Sequence, residues 1–86
     1  MTNTYLVLAM RTSRWDDAVI EPHRDWLAAL RERGELDRTG GFTDGSGGAY
    51  VIRAESLDAA TALVHTDPIH TSGASALTVY EWNVTT

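Results

Sequence analysis

The sequence has no cysteine and no lysine, two prolines and one phenylalanine. Without cysteine there is neither a disulfide framework nor a thiolate metal centre. An 86-residue chain, read as one domain, buries only about 60–65% of the surface its unfolded form exposes. Association between copies is the common remaining source of stability. Positive charge is scarce as well: seven arginines against twelve acidic side chains give a net charge of −5. No basic run exists to displace counterions from a phosphate backbone, so nucleic acid is not an expected partner. Long apolar runs are also missing. Residues 5–10 are far too few to cross a bilayer and lack the basic flank of a secretory signal, so a soluble, cytoplasmic protein with no membrane partner is expected.

What is present reads as a short succession of elements. Residues 5–10 are apolar without alternation, as in a strand covered on both faces. Pro22 suits the first helical position, where its missing N–H costs nothing, and predicts a helix over residues 22–33. Gly34 closes that helix, with Arg31 and Arg33 complementing the negative end of its dipole. Residues 36–42 read as a strand interrupted by Gly40 and Gly41, residues 44–48 as a glycine-rich hairpin turn, and residues 49–54 as the returning strand. Ser56 is an N-cap for a second helix to about residue 65, which Asp67 and Pro68 terminate. Residues 69–74 read as a connector. Residues 75–84 alternate, with Leu77, Val79 and Glu81 on one face and Thr78, Tyr80 and Trp82 on the other.

That order predicts a ferredoxin-like βαββαβ sandwich of the α+β class, with two helices on one face of a four-stranded antiparallel sheet. The other face, carrying residues of the first strand together with Tyr80 and Trp82, needs a cover. A second copy packed sheet to sheet supplies one, so a homodimer forming a dimeric α+β barrel is expected. The same connectivity brings His23, at the start of the first helix, and Asp67, at the end of the second, to one edge of the sheet.

His23 falls on the helical stripe of Trp26, Leu27 and Leu30 at spacings of three, four and seven. An imidazole there is either chemistry or packing. As chemistry, it is a general base or acid oriented by Asp67, with Arg11 or Arg14 holding negative charge on a substrate and His70 close enough to compete for a role. As structure, it is a buried ring donating to a carbonyl while Asp67 caps free amides. A metal set of His23, His65, Asp67 and His70 matches no established spacing, so no metal is expected. The hairpin at residues 44–48 lacks the lysine and the following helix of a phosphate-binding loop and reads as a plain turn.

In His23, Gly34, Gly40, the glycine-rich hairpin, the aliphatic strand after it, Ser56, Leu57, Asp67 and Pro68, taken in order, the sequence resembles the YCII-related family over nearly its whole length. The resemblance implies a dimeric ferredoxin-like barrel with a site centred on a histidine and an aspartate, which map to His23 and Asp67. Dehydrochlorinases of hydroxylated chloroaromatics among the relatives imply acid–base elimination chemistry, and with His23 and Asp67 at one edge the expected activity is cofactor-independent elimination or isomerisation of a small oxygenated metabolite, aromatic ones included. A non-catalytic ligand-binding or accessory module is the alternative. Ile69 departs from the pattern, standing where an aromatic residue often follows the aspartate and proline.

Overall fold

The computed structural model describes residues 2–86. Strand β1 (Asn3–Arg11) leads through a 3₁₀ turn (Asp17–Val19) into α1 (Ile20–Glu32). Then come β2 (Leu36–Gly41), β3 (Gly47–Ala54), α2 (Leu57–Val64), α3 (Pro68–Thr71) and β4 (Ser75–Glu81). The four strands form one antiparallel sheet in the order β2-β3-β1-β4, the ferredoxin-like arrangement, and the chain is an α+β protein as its element order predicts.

Helix ends follow local chemistry. Asp16 caps the 3₁₀ turn by accepting from the Ala18 N–H at 2.9 Å, and this turn starts the helical path ahead of Pro22. Helix α1 therefore begins at Ile20, with Pro22 at its third position, still within the first turn, where a backbone N–H would have no partner inside the helix. At the other end Gly34 takes φ +74°, and the N–H groups of Gly34 and Glu35 reach back to the carbonyls of Arg31 and Leu30 at 3.0 and 2.9 Å. Those two bonds make a Schellman closure, which needs a residue at ease with positive φ. Ser56 caps α2 by accepting from Ala59 N–H at 3.1 Å.

Two expectations are corrected. The segment after Pro68 is the short helix α3, not a connector, because the Asp67 side chain caps it and Pro68 occupies its first turn. Within one copy, the helices cover strand β1 on one face only. Tyr5, Val7 and Ala9 are buried beneath the helices, while Leu6 and Leu8 are only half-buried and Met10 is exposed on the opposite side. The final strand also stops at Glu81, short of residue 84.

The main core joins Tyr5, Val7, Tyr50 and Ile52 of the sheet to Leu27 and Leu30 of α1 and Val64 of α2. A second cluster at the upper edge packs Ala9, Val19, Ile69 and Ala74 together, with Trp15 and Leu77 leaning on it. That cluster ties the β1–α1 connection to α3, so the two segments that deliver His23 and Asp67 are packed on each other. No helix among the described residues is long and apolar enough to cross a membrane.

Candidate active site

Asp67 is fully buried, and a buried carboxylate has to be met by donors. Three converge on it. His23 Nδ1 lies 2.8 Å from Oδ1, the Ile69 backbone N–H donates to the same oxygen at 3.0 Å, and the Tyr50 hydroxyl donates to Oδ2 at 3.0 Å. Since an ionised carboxylate only accepts, Nδ1 is the ring nitrogen that carries the proton in this contact, and Nε2 is left for other partners.

Two of the three donors are fixed by the fold around them, one by a helix start and one by the core. The Ile69 N–H is the capping bond of α3, which fixes Oδ1 by the backbone itself. Tyr50 stands on β3 with its ring in the main core. Burial raises its phenol well above the ordinary value of 10.0, and the Asp67 charge and hydrogen bond push it the same way, so the hydroxyl stays a donor. The imidazole is steadied by aromatic neighbours. Trp26 stacks beside it at 6.5 Å between centroids with planes 16° apart. Trp26 is in turn held by its indole N–H donating to Thr66 Oγ1 at 2.9 Å, one residue from Asp67.

His23 and Tyr50 face a cavity of about 390 Å³ between the upper end of the sheet and the start of α1. Trp15, Ile20, Leu27 and Ile69 give it apolar walls, and Arg11 and Arg24 are its charged lining. No carboxylate lines it directly. The Arg11 guanidinium lies 3.9 Å from the centroid of the Trp15 ring, and Trp15 is anchored by its indole N–H to Asp17 Oδ1 at 2.9 Å.

Of the residues singled out in the sequence, His23 and Asp67 are brought together, and Arg11 joins His23 in the cavity lining. Arg14 and His70 do not reach its wall. The Arg14 side chain lies over Gly73, whose φ of +76° and missing side chain make room for it. His70 stacks face to face on His65, with centroids 4.2 Å apart. Among the described residues no three His, Cys, Asp or Glu side chains gather closely enough to hold a metal ion.

Tyr50 and Arg24 are the residues that pattern reasoning missed. Tyr50 sits among aliphatic residues in a strand and reads as core, yet a buried tyrosine hydroxyl needs a partner, and that requirement is a usable signal. Arg24 gives none, since it falls beside the apolar stripe of α1 like any solvated charge.

Residues 4–83 match the YCII-related domain. A protein of Bacillus subtilis (strain 168), the uncharacterised YjpA, is 42% identical over 81 residues, a span of 94% of this chain and 95% of that one. Among solved structures, 5-chloro-2-hydroxyhydroquinone dehydrochlorinase (TftG) from Burkholderia phenoliruptrix AC1100, in complex with 2,5-dihydroxybenzoquinone, superposes with a TM-score of 0.70. That alignment covers 93% of each chain at 22% identity, and the likeness is one of fold.

Proposed function

The chain belongs to the YCII-related family, and from that premise we propose that it is a cofactor-independent acid–base enzyme acting on a small oxygenated molecule by elimination or isomerisation. The observation that carries the proposal is the His23–Asp67 contact of 2.8 Å at the wall of a cavity of small-molecule size. The similarly folded TftG is a dehydrochlorinase, and the proposed elimination is a reaction of that kind. His23 Nε2 takes a proton from a carbon beside an oxygenated centre. The bonding pair left behind forms a carbon–carbon double bond while either a leaving group departs with the pair that bound it, or the neighbouring carbonyl π pair moves onto its oxygen; in the second case a proton returned by His23 at another carbon completes the isomerisation. Asp67 keeps the ring in one orientation and opposes the positive charge it gains. Arg11 offers a guanidinium to negative charge on the substrate.

The same contact also suits a non-catalytic ligand-binding module, because Asp67 would be fixed by the α3 cap even if His23 performed no chemistry. Exchange of carbon-bound hydrogen separates the readings. Small hydroxylated aromatics and 2-hydroxy ketones are incubated with the protein in D₂O and followed by proton NMR. Enzyme-dependent exchange that vanishes in His23→Gln and falls about 100-fold in Asp67→Asn supports the enzyme. Binding without any exchange in the parent protein supports the module.

The proposal extends to a homodimer. On the sheet face away from the helices, Leu6 pairs with Tyr80 and Val51 in register. Met10, Tyr80 and Trp82 are 40%, 50% and 44% exposed on the monomer. A second copy covering this face would remove that apolar surface from water and supply stability that a chain without disulfides lacks.

A further inference from the structure

The floor and rim of the cavity differ in kind, and together they specify a ligand. The sheet floor is mostly bare: Ala9, Gly40, Gly41, Gly47, Gly48 and Ala49 are presented there, and the other strand residues in the lining are Arg11, Thr39, Tyr50 and Ser75. The first six sit in register on three neighbouring strands, Gly40 opposite Ala49, Gly41 opposite Gly48, and Ala9 and Met10 opposite Gly48 and Gly47. Adjacent strands are about 4.8 Å apart, so the row forms a nearly bare platform about 10 Å wide. Two of its glycines are required by the backbone itself. A Cβ on Gly47 would fall 2.1 Å from the Ala9 carbonyl oxygen, and one on Gly48 would fall 2.4 Å from that of Gly40. The rest of the apolar lining, Trp15, Ile20, Leu27 and Ile69, comes from the β1–α1 connection and the helices. A bare floor beside apolar walls makes a slot.

The charge at this slot runs against that of the whole protein. The chain carries −5, yet the cavity lining holds two arginines and no acid. Among the described residues neither Arg11 nor Arg24 has a carboxylate partner, in contrast to Arg33 and Arg53, which pair with Glu35 and Asp37. Arg11 is held over Trp15, so part of the entropy cost of fixing its long side chain has been met before any ligand arrives. Guanidinium groups without an internal anion, set at the mouth of a low-dielectric cavity, select negative charge and bind carboxylates through two parallel N–H donors.

We infer that the cavity takes a planar aromatic anion, lying on the glycine platform with its charged group held between Arg11 and Arg24 and an edge of the ring toward His23. Arg24 is thereby assigned as a specificity-determining residue. The inference rests on the proposed use of this cavity for small molecules, but it concerns binding and does not require His23 to be a base.

Three probes of equal size test it. Benzoate is flat and anionic, benzamide is flat and neutral, and cyclohexanecarboxylate is anionic and puckered. Binding is read by titration of the amide NMR spectrum of the full chain, where the signals of Gly40, Gly41 and Gly48 and the indole N–H of Trp15 report the location. Benzoate is expected to bind about tenfold more tightly than either of the others. Arg24→Gln and Arg11→Gln should each weaken benzoate about tenfold and leave benzamide unchanged. Gly41→Val should abolish benzoate binding while the rest of the spectrum stays folded, because a Cβ there makes only an ordinary 3.8 Å contact and a branched residue suits an extended strand. Equal affinity for benzoate and benzamide overturns the anion assignment, equal affinity for benzoate and cyclohexanecarboxylate overturns planarity, and benzoate signals elsewhere on the chain overturn the site. Asp67→Asn serves as the control on the underlying reading. If hydrogen exchange is absent in the parent but benzoate selectivity persists in both proteins, acid–base catalysis fails and the ligand assignment stands.

Discussion

Removing one oxygen atom, by Tyr50→Phe, tests how the site is held together. The Tyr50 hydroxyl donates to Asp67 Oδ2 at 3.0 Å, where both residues are almost entirely out of water. Phenylalanine fills nearly the same volume and keeps the ring in the core, so the change isolates the hydrogen bond. A bond to a charged acceptor contributes about 1.5–3 kcal/mol, and the oxygen left behind has no water to turn to. We expect a loss of about 2–3 kcal/mol at pH 7, or a fall in Tm of about 10–20 °C for a domain of this length. Urea unfolding followed by tryptophan fluorescence measures it. The pH profile supplies a second, independent reading. Burial holds the Tyr50 phenol above its ordinary value of 10.0 in the folded protein. Above about pH 10 the unfolded chain therefore releases this proton while the folded one keeps it, and stability falls as pH rises, at about 1.4 kcal/mol per pH unit for one such group. Below pH 10 both forms keep the proton and the contribution is constant. With no lysine or cysteine in the sequence, the alkaline limb is not crowded by other side chains of those types. In Tyr50→Phe that limb should flatten. Stability within about 0.5 kcal/mol of the parent at pH 7, together with an unchanged alkaline slope, would refute the account.

Two further substitutions address the fold and the assembly. Gly34→Val places a β-branched residue at φ +74° in the Schellman closure of α1 and should cost about 1–3 kcal/mol in urea unfolding; a cost below about 0.3 kcal/mol would mean that the helix end relaxes freely. Trp82→Asp puts a charge on the apolar sheet face, where the native side chain is 44% exposed. It is expected to convert a dimer into monomers in sedimentation velocity, whereas a parent protein that sediments as a monomer at high concentration would remove the case for that interface.

Much of this architecture could be read from short, local rules. The Gly34 closure, the Ser56 cap and the order of strands and helices each depend on residues near one another in the chain, and chain direction alone then carries His23 and Asp67 to one edge. What escaped has identifiable causes. Helix α3 spans four residues, too few to show a period, so only the Asp67–Pro68 pair hinted at it. Leu6 and Leu8 are as apolar as Val7, and the sequence does not say which face the chain itself covers. Arg11 and Trp15 meet across a turn whose course is set by the packing of Val19 on Ile69, a contact between residues fifty positions apart. Tyr50 and Arg24 acquire their places from tertiary packing, and no spacing announces them.

The cap of α3 bears on which side chains position 67 can tolerate. A longer carboxylate, glutamate, could serve an imidazole but fits poorly where a helix start demands a short acceptor at Ile69. Serine or threonine could start the helix but would bring no charge to His23. Asparagine has the shape for both tasks and lacks the charge and one acceptor oxygen. Only aspartate satisfies the helix, the phenol and the imidazole at once. Position 67 is therefore determined twice over, by the helix start and by the two side chains that reach it, and drift away from it would be opposed by folding alone.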